Sequence, residues 1–279
     1  MDRLRPSFFI IGVNKCGTSS LYRYLIAHPN ILPCALKEPN FFGLHSPEYI
    51  AAHIDEYFSL FPTSEYRGDL SFRWEASDQA GDSLLTRVHV RRDPAKDYIT
   101  GEASANTFHD ISPALLRQHL PDVKLILLIR NPVERAYSHH RMYRRFHAEG
   151  SLPEMGVSDF ETDVRAEMEA HARGESTNYI GPGVYTDKLQ RWVSEYGWGQ
   201  IRVIITEELA RPGKAARVMR DLEDYLGVPH HDYGDILSRR FNHAPPSDME
   251  PRLRAMLADF YRPYNRDLQE YLGREIHWE

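Results

Sequence analysis

The sequence predicts an α/β fold, a single domain over residues 1–279 with a central parallel sheet flanked by helices. Three observations carry that expectation. Runs that are apolar almost throughout, without alternation, occur at Ser7–Val13, Lys124–Arg130 and Ile201–Thr206, the pattern of strands buried on both faces. Segments with apolar residues at helical spacing lie between them. No internal repeat or linker breaks the order, and strands alternating with helices give a parallel sheet.

Taken in order, Ser7–Val13 leads into a Gly-bearing loop over 14–19 and a helix over 20–28, stopped by Pro29. Residues 30–42 read as a Pro-punctuated loop, and 49–60 as a helix. Residues 65–97 are charged and weakly periodic, which predicts an irregular insertion. Tyr98–Glu102 is a short strand and Pro113–Leu120 a short helix. Lys124–Arg130 is the clearest strand. Asn131-Pro132 opens the next helix, with Pro at the first turn where a missing N–H costs nothing. Ser158 and Glu161 have capping-box spacing for a helix over 159–172. Tyr185, Leu189, Trp192, Val193 and Tyr196 mark another helix, as do Ala215 to Leu226 before Gly227. The C-terminal segment from Leu253 to Leu268 is amphipathic and interrupted by Pro263.

Composition narrows the function. The chain has a net charge of −6, which argues against a nucleic-acid binder but leaves room for a local basic pocket. Its two cysteines, Cys16 and Cys34, form no CxxC or Cys/His cluster, so neither a zinc site nor a disulfide framework is expected. No run approaches the length needed to span a bilayer. The expectation is a soluble, cytoplasmic protein. The sequence is silent on oligomeric state.

The first motif is Gly12-Val13-Asn14-Lys15-Cys16-Gly17-Thr18-Ser19-Ser20, between a strand and a helix. Backbone N–H groups in such a loop, with the positive end of the helix, bind an anion. The Gly-x4-Gly spacing makes the domain P-loop-like, but Thr18 follows Gly17 where a nucleoside-triphosphate loop places lysine. The lysine stands two residues earlier, at Lys15. The second motif is Leu127 to Ser138, with Arg130 at the carboxyl end of the best strand and Ser138 in the helix beyond. Ligands of open α/β sheets bind at that end, and an arginine fork with a hydroxyl suits a terminal phosphate.

These two motifs resemble the 5′-phosphosulfate loop and 3′-phosphate motif of sulfotransferases that use 3′-phosphoadenosine-5′-phosphosulfate (PAPS). The likeness is greatest to the branch holding heparan sulfate N- and 3-O-sulfotransferases and their bacterial relatives. It implies that Lys15, Cys16, Gly17, Thr18, Ser19, Ser20, Arg130 and Ser138 bind the nucleotide, that the product is 3′-phosphoadenosine-5′-phosphate (PAP), and that no metal is required. Lys37-Glu38-Pro39-Asn40-Phe41-Phe42 matches the stretch holding that branch's proposed base, which makes Glu38 the candidate here. Glu102, in Gly101-Glu102-Ala103-Ser104, is a second candidate base or substrate-orienting group, and His109 a weaker one. Heparan-type members often carry lysine where Ala103 stands. Arg239 and Arg240 precede Phe241-Asn242-His243-Ala244-Pro245, which lies where relatives place a loop over the nucleotide. The implied acceptor is a hydroxyl or amine on a small molecule, glycoside or carbohydrate. Two other readings stand beside this one: a P-loop small-molecule kinase using ATP and Mg2+, and a nucleotide-binding module without catalysis.

Overall fold

The computed structural model describes residues 3–63, 68–74, 85–90, 97–150, 158–239 and 249–278. In chain order the elements are β1 (Phe8–Gly12), α1 (Thr18–Leu25), β2 (Ile31–Pro33), β3 (Leu36–Lys37), α2 (Phe41–Leu44), α3 (Pro47–Ser59), β4 (Gly68–Trp74), β5 (Leu85–Val90), β6 (Ile99–Ala103), α4 (Thr107–Asp110), α5 (Pro113–His119), β7 (Lys124–Ile129), α6 (Pro132–Ala148), α7 (Phe160–Ala172), α8 (Thr186–Tyr196), β8 (Ile201–Ile205), α9 (Thr206–Leu209), α10 (Pro212–Leu226) and α11 (Pro251–Leu272).

The fold is α/β with a central parallel sheet flanked by helices, as expected. Five strands run in the order β2-β6-β1-β7-β8, every neighbouring pair parallel. All five carboxyl ends therefore share one edge, where open α/β sheets bind ligands. β1 is buried along its whole length, and β7 beyond Lys124. Gly101 in β6 is paired with Phe8. A Cβ added there would lie 2.4 Å from the Phe8 carbonyl oxygen, so this close approach admits only glycine.

Several segments differ from the sequence reading. The loop assigned to 30–42 holds β2, an edge strand of three residues that tolerates Pro33 because its outer side needs no N–H. It also holds β3. The stretch assigned as an irregular insertion contains β4 and β5, paired antiparallel from Gly68↔Val90 to Arg73↔Leu85, with β3 parallel to β4. α1 begins at Thr18, two residues before the expected start. α11 runs unbroken through Pro263, an exposed position.

The chain forms two compact units, Met1–Ile129 with Arg191–His243 and Arg130–Gln190 with Ala244–Glu279. The first contains the five-stranded sheet. The second packs Val133, Ala136, Phe160, Val164, Leu257 and Tyr261 into its own core. Within it α7 is capped by Asp159, whose Oδ1 accepts from the Thr162 N–H at 3.0 Å, so the cap sits one residue after the expected Ser158. Glu167 accepts from the N–H groups of Asn178, Tyr179 and Ile180 at 2.7–2.9 Å. The fully buried Arg135 donates to the Tyr179 carbonyl. The two charged side chains thus hold one turn by opposite sides of its peptide groups.

Candidate active site

The loop after β1 is shaped by backbone conformations that most residues avoid. Gly17, the residue before α1, has φ 86°, a value glycine adopts at little cost. Lys15 has φ 71°, which costs a side-chain-bearing residue roughly 1 kcal/mol or more. The turn closes through Cys16 N–H to the Val13 carbonyl at 3.0 Å, and Val13 N–H donates to Leu128 O at 2.8 Å in the neighbouring strand. No side chain caps α1. Its first N–H groups therefore remain a positive, anion-seeking end. Cys16, Thr18 and Ser19 are buried, while Lys15 and Ser20 are half-buried. Thr206, the first residue of α9, braces the loop: its hydroxyl lies 2.6 Å from Cys16 O and 3.0 Å from Ile129 O and shares its proton between them. Asn14 Nδ2 donates to Asn106 Oδ1 at 3.3 Å, tying the loop to the segment that follows β6.

That segment leads back to the two candidate carboxylates. Glu102 is fully buried. Its Oε1 accepts from the Tyr57 hydroxyl at 2.8 Å and its Oε2 from Ser104 Oγ at 2.6 Å. Ser104 Oγ in turn accepts from the Asn40 N–H at 3.1 Å. Burial pushes the Glu102 carboxyl up from 4.5 to about 7; the two hydroxyl donors and the Lys37 ammonium oppose the rise, and the Glu38 carboxylate adds to it. Glu38 is different. Its side chain is 29% exposed and pairs with the almost fully buried Lys37. The backbone of Glu38 has φ 61° and that of Asn40 φ 47°. Lys15, Glu38 and Asn40 are the non-glycine residues with left-handed backbone among the described residues, and such conformations concentrate at functional sites. Phe41 and Phe42 pack against Tyr57, with ring centroids 5.5 and 5.0 Å away, and so wall the hydroxyl that serves Glu102.

His109 stands on α4, its ring edge-on to Phe108. In the other unit, Arg130 and Ser138 flank the first turns of α6. Asn131 Oδ1 caps that helix by accepting from Val133 N–H at 3.0 Å. Arg130 Nη2 lies 4.0 Å from Glu134 Oε2, and its carbonyl accepts from the Tyr185 hydroxyl at 2.8 Å. Ser138 is one helical turn beyond Glu134, on the same face, and half-buried. The segment 241–245, read as a covering loop, lies outside the described residues, as does Arg240.

The sequence model of the sulfotransferase family matches residues 6–232. The chain belongs to the sulfotransferase family. Its match takes in the β1 loop, both carboxylates, Arg130 and Ser138. Among curated relatives, this family member is 26% identical to human bifunctional heparan sulfate N-deacetylase/N-sulfotransferase 3 over 98% of its own length and 30% of that protein. It is 25% identical to mouse heparan sulfate glucosamine 3-O-sulfotransferase 3B1 over 98% of this chain and 65% of that one. The chain thus spans about a third of the first of these relatives. Among solved structures it superposes on a sulfotransferase from Alicyclobacillus acidocaldarius with a TM-score of 0.67, at 26% identity, covering 98% of this chain and 97% of that one. A mouse sulfotransferase complexed with PAP shares the fold, with a TM-score of 0.51 at 13% identity.

Three participants in this sulfotransferase-family site carry no sequence signal of their own. Tyr57 reaches Glu102 across 45 residues, and nothing local to it suggests the contact. Thr206 reads as the last residue of a strand. Lys37 reads as the exposed half of a surface pair, yet it is 3% exposed.

Proposed function

We propose that this chain transfers a sulfuryl group from PAPS to a hydroxyl or amine of a small-molecule, glycoside or carbohydrate acceptor. Family membership supports the reaction class. The observation that carries the assignment of roles is the left-handed backbone at Lys15 and Glu38, two charged residues held in unfavourable conformations on loops that follow sheet strands. The β1 loop fits an anion well: it offers the uncapped end of α1, the hydroxyls of Thr18, Ser19 and Ser20, and a cation at Lys15.

In this reading the acceptor oxygen or nitrogen attacks sulfur in line, and the bond from sulfur to the 5′-phosphate oxygen breaks. Lys15 offsets the negative charge that grows on that leaving oxygen. Glu38 takes the acceptor proton, a role supported by its partial exposure. Glu102 positions rather than reacts: both of its oxygens are engaged, and through Ser104 it orders the Asn40 N–H two residues after Glu38. Arg130 and Ser138 are assigned to the 3′-phosphate by resemblance. Lys15 supplies the positive charge, so the scheme requires no metal.

The test is calorimetric titration with PAP and with ATP–Mg2+, followed by turnover with labelled PAPS against a panel of hydroxyl and amine acceptors in the presence of EDTA. PAP should bind at least about tenfold more tightly than ATP, and Lys15→Ala and Glu38→Gln should each lower turnover about 10²–10⁴-fold while PAP still binds Glu38→Gln normally. Preferential use of ATP with Mg2+, or unchanged turnover in both variants, would overturn the assignment.

A further inference from the structure

Beside the N-terminal turn of α6, within the second unit, lies a cavity of about 430 Å3 that none of the roles above uses. One face of α11 supplies most of its wall, because Arg254, Ala258, Arg262, Arg266 and Gln269 recur at spacings of three and four residues. Three of these are arginines, and among the described residues no aspartate or glutamate lines the cavity. Asn131 and Gln269 add amide groups, and Trp278 adds an indole ring.

Arg254 pairs with Glu134, and Arg262 pairs with Asp259. Arg266 makes no ion pair among the described residues. Glu134 is shared, since Arg130 Nη2 also lies 4.0 Å from it, so guanidinium groups outnumber the two neighbouring carboxylates and the cavity is net positive. Arg262 and Arg266 also stand four residues apart on the helix, a like-charge spacing that destabilises it slightly and that a bound anion would relieve. The Arg262–Asp259 pair is exposed on both sides, at 64% and 65%, so it holds its partners weakly and yields them readily. Trp278 is half-buried, with its ring 6.1 Å from that of Tyr185. Its indole offers a flat surface beside the guanidinium groups.

We propose that this cavity is a binding site for an oxyanion carried on a flat ring, the class of sulfonates, sulfate esters and phosphate esters of aromatic or ring-shaped molecules. Arg262 and Arg266 hold the anionic group by forked hydrogen bonds. Trp278 stacks on the ring. Glu134 links the cavity's Arg254 to Arg130, and the occupancy of the cavity does not depend on the nucleotide assignment.

The probe is 2-naphthalenesulfonate, which is flat, singly charged and has no transferable group. It is titrated calorimetrically into the full chain with and without saturating PAP. One site should be seen in both conditions. Arg266→Gln should weaken it by about tenfold or more, and Arg262→Ala combined with Arg266→Gln should remove it. Trp278→Leu should weaken it several-fold. Arg217→Ala, an exposed arginine on α10, serves as control and should change nothing. Unchanged affinity in both Arg266 variants would overturn the proposal, whatever PAP does. So would a probe that PAP displaces fully and that ignores the α11 substitutions, since it would then occupy the nucleotide site. Circular dichroism keeps the test sound: glutamine retains helix propensity at an exposed position, so Arg266→Gln should fold like the wild type.

Discussion

Replacing Glu102 by glutamine should remove a pH dependence of stability that the wild-type chain carries. Glu102 is enclosed on all sides, and burial raises its folded-state pKa from 4.5 to about 7. Between those two values the folded chain binds this proton and the unfolded chain releases it, so stability falls as pH rises. The contribution is complete below about pH 4.5 and is lost as pH climbs through about 7. At about 1.4 kcal/mol for each pKa unit, the full swing amounts to roughly 3 kcal/mol. Glutamine has nearly the same shape and no proton to lose. Its carbonyl can accept from Tyr57, while its amide can donate to Ser104 Oγ after that hydroxyl turns. Unfolding by urea or heat, measured for both proteins from about pH 5 to pH 8, isolates the term as a difference. The wild type should lose roughly 2.5 kcal/mol relative to Glu102→Gln across that range, a shift on the order of 5–10 °C in Tm. A difference that stays constant with pH, or one in which the wild type gains on the variant as pH rises, would refute the reasoning.

Two further substitutions test the frame around the site. Gly101→Ala places a methyl group where the Phe8 carbonyl oxygen already stands, 2.4 Å from the new Cβ; the sheet centre cannot shift cheaply, and a loss of about 3 kcal/mol or more is expected in chemical unfolding. Thr206→Val keeps the shape of the side chain but leaves Cys16 O and Ile129 O without their hydroxyl donor; stability should fall by about 1–3 kcal/mol, and PAP affinity should drop several-fold in calorimetry as the β1 loop loosens.

How far the sequence could be read depended on whether a feature was set by neighbours along the chain. β1 and β7 are apolar because each is buried on both faces, so their identity is written locally. The β1 loop is likewise legible, since Gly17 must stand where the backbone turns left-handed before α1. β2 was hidden because three residues ending in proline carry no periodicity, and only pairing with β6 makes them a strand. β4 and β5 were hidden because a weakly periodic, charged pair of segments becomes a ladder only through its cross-strand register. Pro263 suggested a break in α11 because the residue lacks an N–H, yet at an exposed position water can satisfy the carbonyl it leaves unpaired. The same division runs through the site. Lys15, Glu38 and Glu102 were visible as motif positions. The inequality between the two carboxylates was not, because it arises from Tyr57, Ser104 and Lys37, which the fold gathers from three segments.

The backbone at Lys15 and Glu38 is what supports the chemical roles proposed for those two positions. If a loop needed only to turn at these points, glycine would adopt φ 71° or 61° without penalty. Lysine and glutamate each give up roughly 1 kcal/mol there. Neither recovers it by filling a core: Lys15 is half-buried and Glu38 keeps 29% of its side chain exposed. The Lys37 partner of Glu38 does not close the gap either, since a pair with one partly solvated member contributes modestly while burying an ammonium group is itself costly. Local stability therefore favours glycine at both sites, and the sequence carries charge. What distinguishes the two from Asn40, the third left-handed residue, is that asparagine tolerates this region and uses its side chain locally, donating to the Glu38 carbonyl at 3.2 Å. Asn40 is explained by the turn alone. At Lys15 and Glu38 the backbone alone does not call for a charged side chain, and that is the ground on which the roles proposed for them rest.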